Sequence, residues 1–139
     1  MFVGTERSAL DKTRAFQPGN YCERRYLHLI ESLTAEEVVL DAACGDGYGS
    51  ELMARHVRQV VAVDLDPETI EGNRRVRASD RNNLRFETGD VCALPLPDAA
   101  FSTVVSLETI EHVEAYCREM KRVLKPGGAN HLFLSLIHI

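Results

Sequence analysis

Short apolar runs and amphipathic segments alternate along most of this 139-residue chain. The apolar runs have the length of buried strands and lie at residues 38–40, 60–63, 103–106 and 131–139, and a further strand is predicted at residues 84–87, which alternate between apolar and charged side chains. The segments between them repeat apolar residues at helical spacing, as in Val113, Tyr116, Met120 and Val123. Strands separated by helices of about ten residues predict a parallel sheet covered on both faces. Right-handed crossovers would make it a doubly wound α/β fold.

Two local signals predict where helices begin and end. Asp66 followed by Pro67 predicts a helix start, because the carboxylate can accept from the first turn and proline suits the first helical position. The run Lys125-Pro126-Gly127-Gly128 predicts the end of the last helix. We therefore expect the fifth strand to begin only at His131.

Composition and charge exclude several classes of protein. Hydrophobic residues make up 45% of the chain and charged residues 27%, which is typical of one ordinary globular domain. The net charge of −5 disfavours a surface built to bind many phosphates, so no nucleic-acid partner is expected. One group of basic residues is interpreted as the solvated face of a helix: Arg74, Arg75, Arg77 and Arg81.

Nothing in the sequence predicts a membrane span or a secretory signal. No run approaches the roughly 20 apolar residues that a span needs, and the N-terminus lacks an apolar signal core. The cysteines Cys22, Cys44, Cys92 and Cys117 form no CxxC pair. Free thiols in a reducing cytoplasm are the simplest interpretation.

Acidic residues follow each of the first four predicted strands. In a doubly wound sheet, ligands bind at the carboxyl ends of the strands, near the point where strand order reverses. This rule singles out residues 41–49, 64–66, 87–91 and 106–112. We expect these segments to form one site.

The first of these segments is a glycine-rich turn between a strand and a helix. Such a turn could serve NAD, FAD, a nucleotide phosphate or no ligand. It departs from GxGxxG because position 50 is serine, and it lacks the ending of a phosphate-binding P-loop. Asp41 and Asp46 flank the turn and would repel a diphosphate, which prefers bare N–H groups. A ligand with net positive charge, such as S-adenosylmethionine (SAM), is favoured instead.

Two further acids fit a nucleoside. Asp64 lies 19 positions after Gly45, close to the ~20-residue offset at which an acidic side chain accepts from ribose hydroxyls. A helix cap is the alternative for Asp64, although Asp66 suits that role better. Asp90 could accept from an adenine amino group while the Val91 backbone pairs with the ring. Ordinary turn chemistry in Thr88-Gly89-Asp90 is the alternative.

Five stretches together resemble the class I SAM-dependent methyltransferases, in particular the small-molecule enzymes related to the ubiquinone-biosynthesis methyltransferases. They cover about two-thirds of the chain in family order: VLDAACGDGYGS (39–50), VAVDLDPETI (61–70), GDVCALPLPDAAF (89–101), VVSLETIEHV (104–113) and RVLKPGG (122–128). The resemblance implies a Rossmann-like, mainly parallel sheet and SAM as the cofactor.

The resemblance also implies roles for particular residues. The turn at Gly45, Gly47 and Gly49 would hold the methionine part of SAM, and Asp64 would hold the ribose. Asp90 and Val91 would bind the adenine, and Leu107 would lie near the cofactor. The cofactor-binding set is completed by Asp41, Ala43 and Leu65. Ser102 departs from the family, which often has aspartate there, and we expect no effect on the cofactor.

Glu108, Glu111 and His112 are the candidates for chemistry after the fourth strand. Their spacing places all three on one side of an opening helix. In the preferred interpretation, the two glutamates stabilise the helix N-terminus and His112 packs locally. In the other, the trio binds a divalent metal, since Glu-x-x-Glu-His resembles the metal-binding stretch of ubiquinone-type and small-RNA methyltransferases. No catalytic residue is assigned.

Three segments are expected along the chain: a loose arm at residues 1–20, an incomplete SAM-binding domain at 21–133 and a tail at 134–139. Family members continue beyond the Lys-Pro-Gly-Gly run with further strands, so we expect the natural protein to be longer. The tail Leu134–Ile139 resembles a translated transposon end used in DNA sequencing, and it is interpreted as an artefact.

The sequence therefore predicts a SAM-dependent methyltransferase that acts on a small molecule. The alternatives are a non-catalytic SAM-binding domain, an inactive fragment or, less favoured, a nicotinamide oxidoreductase.

Overall fold

The computed structural model describes residues 21–107 and 113–132. The predicted arm at 1–20 and the predicted tail at 134–139 lie outside these residues. The helices and strands follow in the order α1 (Tyr21–Ile30), β1 (Val38–Ala42), α2 (Tyr48–Ala54), β2 (Gln59–Asp64), α3 (Pro67–Arg77), β3 (Leu84–Thr88), β4 (Phe101–Ser106), α4 (Val113–Val123) and β5 (Leu124–Leu132). No helix in these two ranges is long and apolar enough to cross a membrane.

The five strands form one sheet in the order β3-β2-β1-β4-β5, and every pairing is parallel. β1 lies at the centre, with Leu40 paired to Val61 of β2 on one side and to Val104 of β4 on the other. The chain runs outwards from β1 to β3 and then returns to the other side of β1. This reversal leaves a crevice at the carboxyl ends of β1 and β4.

Alternate residues of β1, β2 and β4 face two separate cores, as expected for strands buried on both sides. Helices α1, α2 and α3 contribute Tyr26, Met53 and Ile70 to one core. Helix α4 contributes Tyr116 and Met120 to the other. The predicted doubly wound, three-layer α/β fold is therefore confirmed for the described residues.

The predicted start of α3 is confirmed in detail. Asp66 is the N-cap, its side chain accepts from the Glu68 N–H, and Pro67 follows at the first helical position. The cap stabilises the first turn of α3 directly after β2. α3 is the helix that packs beneath the glycine-rich turn.

The predicted start of β5 is wrong. The strand begins at Leu124, directly after α4, and not at His131. β5 is an edge strand, so no further strand among the described residues pairs with its outer side. A proline such as Pro126, which lacks a backbone N–H, is tolerated in an edge strand. The register between β4 and β5 shifts between Phe101 and Thr103, and Gly127 takes a positive φ of 78°. The register shift and the left-handed Gly127 accommodate residues 125–128 within the strand, although the sequence pattern predicted that these residues would separate α4 from β5.

Ser102 connects two strands through its side chain. Its hydroxyl accepts from the Val38 N–H at 2.9 Å and lies 3.2 Å from the Val38 carbonyl, so it joins the beginnings of β1 and β4. This is the end of the sheet opposite the crevice.

Candidate functional site

The turn that follows β1 is built around left-handed backbone. Ala43, Gly45 and Gly47 have φ values of 63°, 56° and 73°, which glycine adopts at little cost. A Cβ at Gly45 would meet no atom within 4 Å, so the turn is open there. A Cβ at Gly47 would lie 2.7 Å from the Phe86 ring. Gly45 therefore leaves room for a ligand, whereas Gly47 leaves room for the core.

The backbone donors of this turn are largely used within the protein. Four N–H groups donate to protein oxygens at 2.9–3.1 Å, namely those of Cys44, Gly45, Gly47 and Tyr48. A diphosphate needs several such groups pointing towards it. The turn therefore offers a diphosphate few donors. This lack of donors is more direct evidence against a dinucleotide than the departure of the turn from the GxGxxG pattern.

Asp64 connects the turn after β1 with the turn after β2. Its Oδ2 accepts from the Gly45 N–H at 2.9 Å, and its Oδ1 accepts from the Asp66 N–H at 3.1 Å. Each carboxylate oxygen has a second lone pair, so Asp64 can still accept from hydroxyl groups of a ligand. Beside it, Leu65 is 70% exposed and offers an apolar surface. Acceptors next to an apolar surface suit a nucleoside.

Asp41 lies below the turn. It is fully buried at the end of β1, and its Oδ2 accepts from the Ser50 hydroxyl at 2.7 Å and from the Tyr26 hydroxyl at 3.4 Å. These bonds tie α1 and α2 to the central strand. Its assignment to the cofactor stays a prediction.

Asp46 is paired with a buried arginine. The Arg77 Nε donates to the Asp46 carbonyl at 2.6 Å, and its Nη1 donates to Glu51 at 2.7 Å. The Asp46 carboxylate lies 3.9 Å from the Arg77 Nη2. The interpretation of the arginine group as a solvated face is therefore wrong for Arg77, which is only 7% exposed, although Arg74 and Arg75 are exposed.

The turn lies in a negative electrostatic environment. Burial, followed by the negative charges of Asp41 and Asp64, raises the pKa of the Cys44 thiol well above its usual range, and Asp46 adds to the shift. The pKa rises because these charges disfavour a second anion at Cys44. The same charges favour a cationic ligand over the turn.

The turn after β3 adjoins Asp64. The Gly89 N–H donates to the Asp64 carbonyl at 2.9 Å, which brings the two turns together. Asp90 is exposed, and its Oδ1 accepts from the Cys92 N–H at 2.8 Å. This is the turn chemistry offered as the alternative for Asp90, and it leaves further lone pairs available to a ligand. Val91 and Leu107 are half-buried at the same end of the sheet.

The candidate catalytic and metal-binding residues Glu108, Glu111 and His112 lie outside the described residues. Within residues 21–107 and 113–132, no group of three or more histidine, cysteine, aspartate or glutamate side chains could hold a metal ion. The metal interpretation stays untested.

Sequence reasoning missed three residues that shape the site: Tyr26, Asn73 and Arg122. Tyr26 packs against Gly49, where a Cβ would lie 1.9 Å from its ring. The Asn73 amide donates to the Gly45 carbonyl at 2.8 Å. Arg122 holds the loop that follows Asp90. A signal for Asn73 does exist in the sequence, because Ile70, Asn73 and Arg77 share one helical face.

The all-parallel sheet, with its glycine turn after β1 and acids after β2 and β3, defines a Rossmann-like fold of the class I methyltransferase type. Residues 39–128 match the family described as "Methyltransferase domain", and the chain belongs to that family.

Similar proteins agree with this assignment. A probable S-adenosylmethionine-dependent methyltransferase of Mycolicibacterium smegmatis is 39% identical over 116 residues, covering 78% of this chain and 43% of that protein. A ubiquinone biosynthesis O-methyltransferase of Xanthomonas campestris is 38% identical over 105 residues, covering 72% and 43%. The YcgJ protein of Bacillus subtilis has a similar crystal structure, with a TM-score of 0.69, 27% identity and coverage of 76% and 48%. The chain thus spans about two-fifths of the length of these two curated relatives.

Proposed function

We propose that this chain is the cofactor-binding part of a SAM-dependent methyltransferase that acts on a small-molecule acceptor. The observation that carries the proposal is the position of Asp64. Its carboxylate accepts from the Gly45 N–H of the open glycine turn, and its backbone carbonyl accepts from the Gly89 N–H beside Asp90. The carboxylate keeps acceptor capacity for ribose hydroxyls. The curated methyltransferases that resemble this chain support the same activity.

The residues present fit SAM. The open face of Gly45 can receive the methionine part of SAM. The negative charges that raise the pKa of Cys44 would favour the sulfonium and ammonium groups of SAM. Asp64 would accept from the ribose, and exposed Leu65 would cover an apolar face of the nucleoside. Asp90 and Val91 would bind the adenine.

When bound, SAM supplies a methyl group on a sulfonium for in-line displacement by the acceptor. The contribution of this chain to the reaction is to hold and orient. Fixing the cofactor beside an acceptor can lower the barrier by about 7–11 kcal/mol, because the loss of translational and rotational freedom occurs on binding. A protein base is needed only where the acceptor keeps its proton at neutral pH.

Asp64→Asn tests the proposal. The amide NH₂ of asparagine would face a backbone N–H that now donates to the carboxylate, and the negative charge would be lost. We expect the affinity for SAM to fall about tenfold or more, equivalent to at least about 1.4 kcal/mol. Isothermal titration calorimetry measures the affinity. Asp80→Asn removes the same charge from an exposed position in the connection between α3 and β3, and it should bind SAM like the unchanged protein.

Titration with NAD separates this proposal from the oxidoreductase alternative. A folded chain that binds NAD more tightly than SAM would contradict the proposal. Release of S-adenosylhomocysteine in the presence of phenol, amine or carbon-acid acceptors would separate a transferase from a domain that only binds SAM.

The cytoplasm is also proposed as the compartment. Cys44, Cys92 and Cys117 are free thiols, which is typical of proteins in a reducing environment.

A further inference from the structure

Helix α3 has two polar residues on its buried face. Asn73 is 6% exposed and Arg77 is 7% exposed, and both reach the glycine turn after β1. The Asn73 Nδ2 donates to the Gly45 carbonyl at 2.8 Å, and the Arg77 Nε donates to the next carbonyl, that of Asp46, at 2.6 Å. Two consecutive carbonyls of the turn are therefore turned towards α3.

Gly45 is held from both sides. Its N–H donates to the Asp64 carboxylate at 2.9 Å, and its carbonyl accepts from Asn73. A trans peptide places its carbonyl and its N–H on opposite sides, so the Gly45–Asp46 peptide directs the Asp46 N–H away from α3. The space that a Cβ at Gly45 would occupy is open. Asn73 is the side chain that hydrogen-bonds to the carbonyl of this peptide.

We infer that Asn73 is a positioning residue for the methionine end of the cofactor. This inference rests on the proposed function. Asn73 acts through the Gly45–Asp46 peptide, which it keeps turned so that the open side of the turn can receive the amino-acid part of SAM. The nucleoside part depends on Asp64 and Asp90, neither of which is a hydrogen-bond partner of Asn73 among the described contacts. The two halves of the cofactor should therefore respond differently to a change at position 73.

The test compares two ligands that differ in the amino-acid part. S-adenosylhomocysteine has it, whereas 5′-methylthioadenosine has the nucleoside and a thioether without it. In Asn73→Ala we expect the affinity for S-adenosylhomocysteine to fall at least tenfold and the affinity for methylthioadenosine to change less than threefold. Arg75→Gln, an exposed position on the same helix, should change neither affinity.

A second variant separates positioning from charge. Asn73→Asp keeps the size of the side chain, but its carboxylate cannot donate to the Gly45 carbonyl. Positioning predicts weaker SAM binding in this variant, whereas simple attraction of a cation predicts tighter binding. Thermal unfolding shows which variants are folded, and Asn73→Asp carries the test if Asn73→Ala does not fold.

Equal losses for both ligands in a folded variant would overturn the inference, because Asn73 would then support the whole site. Unchanged binding of both ligands, or tighter SAM binding in Asn73→Asp, would overturn it as well. If the unchanged chain folds and binds neither ligand, the proposed function fails first and the inference falls with it.

Discussion

Gly45 and Gly47 lie two residues apart in one turn and serve different purposes. Both have a positive φ, so both resist replacement by a residue with a side chain. Their surroundings differ, because the missing side chain of Gly45 leaves open space and that of Gly47 leaves room for Phe86 and Asn73. Gly45 therefore borders the open space proposed for the ligand, whereas Gly47 is required for packing.

Replacement of each glycine by alanine should separate these purposes. Left-handed backbone costs an alanine about 1–2 kcal/mol at either position. In Gly45→Ala, we expect little further loss of stability but at least a tenfold loss of SAM affinity, because the methyl group enters the open space. In Gly47→Ala, overlap with Phe86 should bring the loss of unfolding free energy to about 2–4 kcal/mol. Urea denaturation and calorimetry measure the two quantities, and equal effects in both variants would contradict this distinction.

Contacts between helices, strands and loops position the turn that bears Asp90, the proposed adenine end of the site. The turn bearing Asp90 continues into a loop at residues 94–98, which α4 holds through the side chains of Arg122 and Glu119. All three Arg122 nitrogens take part, donating to Glu119, to Asp98 and to the carbonyls of Leu94 and Leu96. Hydrogen bonds from Arg122 lower the pKa of Glu119, which in turn accepts from the Leu94 N–H. This loop therefore depends on α4 for its position.

Arg122→Lys should loosen that loop. Lysine keeps the charge, but a single ammonium cannot reproduce the planar set of donors. We expect the free energy of unfolding to fall by about 1–3 kcal/mol, because carbonyls and carboxylates lose charged donors. Amide hydrogen exchange should increase in residues 94–98. Lys121→Arg, at the exposed neighbouring position, should change neither stability nor exchange, and unchanged exchange in Arg122→Lys would refute the assigned role.

The reversal of strand order around β1 brings separate segments of the chain to one end of the sheet. It also buries groups that would otherwise titrate in mildly alkaline solution. Burial is the main cause that raises the pKa of the Cys44 thiol well above 9.0, and burial raises the pKa of Tyr116 to about 12. These two groups lie in the two different cores of the molecule.

Stability should therefore fall as the pH rises above about 9. The unfolded chain loses the Cys44 proton near its ordinary pKa of 9.0 and the Tyr116 proton near 10.0, while the folded protein retains both. Each group should then lower the unfolding free energy by up to about 1.4 kcal/mol per pH unit, until its own pKa in the folded state is reached. Urea denaturation between pH 7 and 11 under reducing conditions measures the slope.

Two variants assign that slope to its groups. Cys44→Ala should remove the part that begins near pH 9, and Tyr116→Phe should remove the part that begins near pH 10. A pH profile that is the same in both variants as in the unchanged chain would show that other groups cause the loss.

Local patterns predicted much of this fold. β1, β2 and β4 contain short apolar runs because both of their faces are buried. Asp66-Pro67 marks a helix start because capping involves only neighbouring residues. The carboxyl ends of parallel strands lie at the same end of the sheet, so acids that follow different strands could be predicted to share a site. The turns after β2 and β3 are joined there by the Gly89–Asp64 hydrogen bond.

Contacts between distant residues could not be predicted in the same way. Arg77 resembles its exposed neighbours in sequence, but it is buried because α3 packs beneath the glycine turn. β5 begins at Leu124 because the edge of the sheet tolerates Pro126, and no local pattern shows which strand is at the edge. Periodicity and capping arise from forces between near neighbours, so they can be read along the chain. The partners of Asn73, Arg77 and Asp41 are separated from them by many residues and are brought together only when the helices pack on the sheet.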